Sequence, residues 1–108
     1  MSWTVHILNA TVEREIRDLP KDLKADLFHV LELIETVGLE ELGPLRSKPL
    51  RGKLWELRLK GRDGIGRAIY VTASGRRVVV VHAFVKKTQK APKAALAVAE
   101  RRAKEIKE

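Results

Sequence analysis

The sequence predicts an α+β fold, with helices packed on a mostly antiparallel sheet. Short apolar runs with strand-like alternation are separated by turn residues, and other stretches repeat apolar residues every three to four positions. Their order is strand, helix, helix, strand, strand, strand, helix, which is typical of helices covering one face of a sheet. The other face would then serve function. With 108 residues, the chain is expected to form a single domain over residues 1–108.

The first three elements follow from local patterns. Trp3 to Leu8 alternates as a strand does and ends at Asn9, a residue type favoured as a helix cap. A helix is predicted from Ala10 to Leu19, and Pro20 opens a second one because proline fits the first helical turn. The second helix presents apolar residues toward a core, namely Leu23, Leu27, Val30, Leu31, Ile34 and Val37. Gly43-Pro44 ends this pattern, and a basic connector follows.

Three strands and a helix are predicted in the second half. Leu54 to Leu59 and Arg67 to Thr72 flank the sequence GRDG and are expected to pair as an antiparallel hairpin. Arg77 to Val85 contains four consecutive valines, which indicate burial on both faces and therefore a central strand. A last helix is predicted to start at Pro92, with a narrow apolar stripe of Leu96, Ala99, Ala103 and Ile106.

Charge is divided unevenly along the chain, whose net charge is +8. Residues 1–43 carry −5 and residues 44–108 carry +13. Because the cations interrupt strand-like apolar runs, they are expected to be mounted on a folded sheet, which favours a nucleic-acid partner. Basic residues in the connector and in the loop before the last helix are predicted to follow RNA phosphates. These are Arg46, Lys48, Arg51, Lys53 and Lys90.

Several classes of protein are disfavoured by what the sequence lacks. It has no cysteine, no phosphate-binding or dinucleotide-binding glycine motif and no histidine spacing suited to a metal, so no cofactor is expected. No apolar run is long enough to span a membrane, and a cytoplasmic protein is expected. His82 is expected to be partly buried and structural rather than a general base. Trp55, opposite in strand parity to Glu56, is expected to pack under the helices rather than stack on a base.

A second set of residues is suited to chemistry on a phosphodiester. It comprises Glu56 and Arg58 on one strand, Arg67 on the hairpin partner, and Lys86 and Lys87 at the end of the next strand. Strand parity allows one surface to gather them. Fixed cations stabilise the negative charge that builds up as a phosphodiester is cleaved, and RNA supplies its own 2′-hydroxyl nucleophile. A single Lys or Arg here would more often serve solubility, whereas the group together favours an RNA cleavage site.

The second half also resembles a known family. KLWELR, then Arg67 before the IYV strand, then VVVVHAFVKKTQKAP opening the last helix, are similar to the RelE/HigB superfamily of bacterial toxins, in its phage-derived HigB-like branch. The resemblance implies a RelE-like fold and a toxin of a type II toxin-antitoxin system that cuts mRNA on the ribosome without a metal. The implied partners are the ribosome, mRNA and a cognate antitoxin, HigA-like with a helix-turn-helix domain.

The same resemblance implies roles for individual residues. Arg58 and Arg67 would grip the scissile phosphate, and Lys86 or Lys87 would be the third cation. Glu56 replaces a lysine of RelE-like relatives and would either act as base for the 2′-hydroxyl or orient Arg58. The chain departs from the family at Gly66, where an aromatic residue often precedes the strand arginine, and in having no tyrosine in its C-terminal region.

Two alternatives stay open at this level. A non-catalytic module could bind RNA or the ribosome through the same basic surface, consistent with the two departures from the family pattern. A protein-interaction subunit could instead match its basic face to an acidic partner. A reversal of charge at Arg67 would distinguish the three. It should abolish RNA cleavage and growth inhibition in a toxin, reduce only RNA affinity in a binding module, and alter only partner binding in an interaction subunit.

Overall fold

The computed structural model describes residues 2–62, 64–86 and 93–106. It contains the predicted helices and strands, one further strand, and a short 3₁₀ helix, Leu39–Leu42. The elements are β1 (Thr4–Ile7), α1 (Ala10–Arg17), α2 (Lys21–Val37), β2 (Ser47–Arg51), β3 (Leu54–Lys60), β4 (Ile65–Ala73), β5 (Arg77–Lys86) and α3 (Lys93–Ala103). The predicted α+β class is confirmed.

The sheet has the strand order β1-β5-β4-β3-β2. β1 pairs with β5 in parallel, and the other neighbours are antiparallel. β5 thus lies inside the sheet, and its valines, Val78 to Val81, are all buried. This confirms the central position that the run of valines predicts.

β2 is the strand that the sequence pattern did not indicate. The segment predicted as a basic connector forms the outer edge of the sheet and pairs with β3, with Lys48 opposite Glu56 and Pro49 opposite Trp55. Its sequence, SKPLR, is polar and contains a proline, which lacks the amide hydrogen of a ladder bond and is tolerated at sheet edges. An edge strand of this kind carries no alternating apolar signal.

Helices α1 and α2 pack together on one face of the sheet. α1 begins at the predicted cap, since the Asn9 side-chain oxygen accepts a hydrogen bond of 3.0 Å from the Val12 amide. The two helices contribute most of the apolar side chains expected from their periodicity, and strands β3 to β5 supply the facing ones. The prediction is wrong for Val37, the last residue of α2, which is 56% exposed. The core on this face includes Val12, Ile16, Leu23, Leu27, Val30, Ile34, Leu57, Leu59, Ala68, Tyr70, Val78 and Val80.

The expectation that all helices cover one face is wrong, because α3 packs on the opposite face. Its Ala99 is fully buried in a second cluster with Leu54, Ile69 and Val71. Strands β3 to β5 carry apolar residues at both parities, so both sheet faces need a cover. Glu56, Arg58 and Arg67 have the same parity as this second cluster and therefore share the face with α3.

A polar network holds α3 to the sheet and to α1. Arg102 donates two hydrogen bonds of 2.9 Å to the Glu15 carboxylate and a third, also 2.9 Å, to the Val81 carbonyl. Glu15 also lies 2.8 Å from Nδ1 of His82 and accepts a 3.3 Å hydrogen bond from the Ala83 amide. β1 pairs with β5 only as far as Val80, so Glu15 and Arg102 satisfy backbone groups of β5 beyond that point. His82 has the partly buried structural place expected from the sequence.

Replacing Glu15 by glutamine is expected to lower the free energy of unfolding at neutral pH by about 1.5–3 kcal/mol, the usual worth of hydrogen bonds to a charged group. Burial opposes ionisation of Glu15, but the hydrogen bonds from Arg102 and His82 outweigh it and lower the pKa of the carboxyl. A lowered folded-state pKa gives stability above the unfolded-state pKa that is lost as the pH falls through the folded-state value.

Urea unfolding between pH 7 and pH 3 tests this expectation. The difference between wild type and Glu15→Gln should be full at pH 7 and shrink below about pH 4, the ordinary range of a glutamate pKa. A difference that stays constant over this range would contradict the proposed source of the stability.

Candidate nucleic-acid site

Three cations converge on one carboxylate at the β2 side of the sheet. Lys48 of β2 lies opposite Glu56 of β3, and Arg58, two residues further along β3, lies opposite Arg67 of β4. Residues two apart on a strand share a face, as do directly opposed residues on neighbouring strands. Lys48, Glu56, Arg58 and Arg67 therefore lie on one surface, here called the Glu56 cluster.

The cluster has a buried inner pair and an exposed outer pair. Side-chain exposure is 0% for Glu56 and 3% for Arg67, against 36% for Arg58 and 44% for Lys48. Oε2 of Glu56 accepts a hydrogen bond from Nη1 of Arg67. Oε1 lies 3.9 Å from Nε of Arg58 and 4.0 Å from Nζ of Lys48, and it has no hydrogen-bond partner within the described residues.

The geometry explains why an acidic residue stands among cations. Arg58 and Arg67 are directly opposed across β3 and β4, and like charges in that position repel each other. Glu56 offsets this repulsion and still leaves a net charge of +2, since one carboxylate faces three cations. Its hydrogen bond goes to Arg67, while Arg58, the residue that one of the two sequence interpretations has Glu56 orient, lies 3.9 Å from Oε1. Arg58 and Lys48 are the cations that solvent and a ligand can reach.

Lys86 reaches the same face farther along the sheet. It is the last residue of β5 and pairs with Ile65, one pleat beyond the pair of Arg67 with Phe84. Residues two apart on a strand lie on the same face, so Lys86, like Phe84, lies on the face of the Glu56 cluster. Its side chain is partly buried. The other two predicted cations of this region, Lys87 and Lys90, lie outside the described residues.

The cations predicted to follow RNA phosphates do not form one surface. Arg46 binds Asp26 of α2, with both carboxylate oxygens 3.1 Å from Nη2. Arg51 binds Glu100 of α3, with its Nε 2.6 Å from Oε1. Lys53, in the turn between β2 and β3, lines a cavity of about 530 Å³ together with residues at the C-terminal end of α3. Of the four members of this set that the structure describes, Lys48 alone joins the Glu56 cluster, and it does so because it lies on the unpredicted strand β2.

The two departures from the family pattern have structural explanations. Gly66 is buried against α2, and a Cβ atom there would lie 3.1 Å from Cδ1 of Leu23 and 3.3 Å from the Phe84 carbonyl oxygen. An aromatic side chain does not fit, and at this parity it would face away from Arg67. Tyr70, the chain's only tyrosine, is buried on the α2 face with its hydroxyl 2.6 Å from Oγ of Ser47. Burial raises the pKa of Tyr70, and its hydroxyl lies away from the cluster.

The described residues contain neither a metal centre nor a membrane-spanning helix. No group of three or more His, Asp or Glu side chains there is arranged to hold a metal ion. No helix in this part of the chain combines the length and apolarity needed to cross a lipid bilayer.

The chain is similar to a family profile and to a solved structure. The profile of the family described as phage-derived protein Gp49-like matches residues 14–104. The crystal structure of the archaeal RelE–RelB complex from Pyrococcus horikoshii OT3 contains a chain that matches with a TM-score of 0.52 and 19% identity, covering 79% of this chain and 96% of that one. No curated protein sequence matches. The structural likeness shows a RelE-like fold. Because the Gp49-like profile spans most of the chain, the protein belongs to the phage-derived Gp49-like family, which confirms the resemblance to the RelE/HigB superfamily.

Proposed function

We propose that this protein is the toxin of a type II toxin-antitoxin pair, active as a metal-independent endoribonuclease that cuts mRNA on the ribosome. The observation that supports it best is the layered Glu56 cluster, in which Arg58 and Lys48 are exposed above the buried Glu56–Arg67 pair. Both cations lie beside one buried carboxylate, 3.9 and 4.0 Å from its Oε1, so positive charge is gathered at one place before a substrate arrives, which favours stabilisation of a charged transition state. Family membership supports the same conclusion.

The reaction uses the RNA's own nucleophile. The 2′-hydroxyl oxygen bonds to the adjacent phosphorus as the bond from phosphorus to the 5′-oxygen breaks, leaving a 2′,3′-cyclic phosphate and a 5′-hydroxyl end. The proton leaves the 2′-hydroxyl, and a proton is added to the 5′-oxygen. The Arg58 guanidinium donates to the non-bridging phosphate oxygens, and Lys48 adds positive charge beside it. Arg67, bound to Glu56, is the inner cation, and Lys86 or Lys87 adds a further cation toward the phosphate.

We also propose the partners and the setting. The archaeal chain in the structural comparison comes from a RelE–RelB complex, which supports a cognate antitoxin for this chain. That this antitoxin is HigA-like, with a helix-turn-helix domain, is proposed from the sequence resemblance. The whole chain, residues 1–108, acts as one toxin domain in the cytoplasm, where ribosomes and mRNA are found. The net charge of +8 favours association with ribosomal RNA at low salt.

Inducible expression in a bacterium, with mapping of new 5′-hydroxyl ends on translated and untranslated messages, tests the proposal. Wild type is expected to stop growth and to cut only translated messages, and Arg58→Ala should abolish both effects at equal protein level. Arg58 is preferred to the buried Arg67 because its removal leaves the core intact. Arg101→Ala, which removes an exposed arginine of α3, is the matched control and should retain toxicity. Folded wild type that neither slows growth nor creates new ends contradicts the proposal.

The second candidate function is a non-catalytic module that binds RNA or the ribosome through the same cluster. It is favoured by the absence, from the described residues around the Glu56 cluster, of a tyrosine that could move a proton. In that case Arg58→Ala would weaken RNA binding, while wild type would produce no new RNA ends.

A further inference from the structure

An apolar cavity lies on the sheet face that α2 covers, at the end where β3 begins. Its volume is about 500 Å³, within the range of roughly 300–1,000 Å³ typical of sites for small organic groups. Trp3, Trp55 and Tyr70 supply aromatic walls, and the residues just after α2 close one side. Trp55 is 38% exposed. The expectation that it packs under the helices is therefore wrong, because α2 ends at Val37 and leaves this part of the face open.

The cavity and the Glu56 cluster share one residue. Lys48 lines the cavity, and its Nζ lies 4.0 Å from Oε1 of Glu56 on the other face. β2 is the edge strand, so no further strand separates the two sites on that side of the sheet. A chain that contacts the cluster can pass Lys48 at the edge and reach the aromatic cavity.

We propose that this cavity, here called the Trp55 groove, binds an unstacked base of the RNA strand whose phosphate sits at the Glu56 cluster. The inference rests on the proposed function insofar as the ligand is RNA. Single-stranded RNA is bound by aromatic platforms for its bases beside cations for its phosphates. The groove joins these two elements, since the partly exposed Trp55 of β3 pairs with Pro49 of β2, the residue that follows Lys48.

The groove lining suits a base in other respects. Ring centroids of Trp55 and Tyr70 lie 6.5 Å apart at an angle of 32°, which backs the Trp55 ring with a second aromatic ring. Glu40 and Thr72 also line the groove, and they carry polar side chains of the kind that can hydrogen-bond to the edge of a base. Trp3 is held in place by a hydrogen bond to Glu40 and by the Arg76 guanidinium 5.6 Å from its ring centroid. The wall opposite a bound base is therefore fixed in advance.

The chain has two tryptophans, and both line the groove, so the tryptophan fluorescence of the wild-type protein reports on it. The probe is a 2′-O-methyl pentanucleotide, which cannot supply the attacking hydroxyl, titrated at near-physiological salt. Saturable quenching of this fluorescence is expected, and it should be lost when the base at one position of the probe is removed. In the wild-type background, Trp55→Ala should weaken binding about 5- to 150-fold, the loss expected for one stacked base.

Matched variants separate the outcomes. Trp55→Leu keeps apolar volume without a ring and should weaken binding like Trp55→Ala, whereas Trp55→Phe should retain most of the affinity. Phe28→Ala removes an exposed aromatic residue of α2 outside the groove and should not change RNA affinity.

If Arg58→Ala weakens binding but the Trp55 variants and the removal of bases do not, the groove is not a base site and the proposed function stands. If neither set of variants affects RNA binding, both proposals fail. Loss of antitoxin binding in Trp55→Ala with unchanged RNA affinity would also overturn the inference, because the groove would then be a protein docking site.

Discussion

Replacing Glu56 by glutamine is expected to lower the free energy of unfolding by about 3–5 kcal/mol, the typical loss when one partner of a buried ion pair is removed. The size of the effect follows from burial. Glu56 and Arg67 are both inaccessible to solvent and hydrogen bonded to each other, so the variant leaves the Arg67 charge buried without its carboxylate. Repulsion between Arg67 and the directly opposed Arg58 adds to this loss.

A double-mutant cycle shows whether the loss comes from the pair. Arg67→Met should be about as destabilising as Glu56→Gln, because it leaves the carboxylate buried among fewer cations. Glu56→Leu combined with Arg67→Met removes both charges at similar volume, and it should be much more stable than the sum of the single changes predicts. Free energies from urea unfolding at pH 7 provide the measurement.

Glu100→Gln is the matched control for this cycle. Glu100 forms its ion pair with Arg51 at the surface, where the two side chains are 44% and 61% exposed. Exposed ion pairs contribute about 0–1 kcal/mol, so this variant should be nearly neutral. If Glu56→Gln costs no more than Glu100→Gln, the buried pair does not stabilise the fold, and Glu56 would have to be explained by its action on a substrate.

Elements with strong local signals could be predicted from the sequence. The valine run identified β5 as an interior strand, and Asn9 identified the start of α1. Strand parity was enough to put Glu56, Arg58 and Arg67 on one surface, since alternation depends only on the extended backbone. The cluster was thus largely predictable once β3 and β4 were recognised as a hairpin.

Features that depend on distant partners could not be predicted. β2 is a strand because its backbone pairs with the edge of β3. Pro49 lies within it, and proline in a sequence argues against a strand prediction. Arg46 looked like a free cation, but it is bound by Asp26 of α2, twenty residues earlier in the chain. The cover provided by α3 follows from three-dimensional packing of alanines, whose small side chains give a weak periodic signal. The exposure of Trp55 could not be predicted either, because it depends on how far α2 extends over the sheet and not on the residues around Trp55.

Replacing Arg58 by alanine is expected to slow cleavage by about 10²- to 10³-fold under single-turnover conditions on ribosomes programmed with a defined message. That is the usual effect of removing one preorganised donor that stabilises charge in a transition state. The melting temperature should stay close to that of wild type, since the Arg58 side chain is 36% exposed and 3.9 Å from Oε1 of Glu56, beyond hydrogen-bonding distance. The lower cleavage rate would then result from the missing guanidinium at the phosphate and not from a less stable fold.

The lysine variant separates charge from geometry at this position. Arg58→Lys keeps the positive charge but loses the planar fork that can donate two parallel hydrogen bonds to a phosphate. Its cleavage rate should therefore fall between those of Arg58→Ala and wild type, while Arg101→Ala should match wild type. Equal rates for Arg58→Lys and wild type would reduce the role of Arg58 to electrostatic attraction. Unchanged cleavage in Arg58→Ala would contradict its assignment to the phosphate and shift the reaction to the buried Arg67 and the cations at the end of β5.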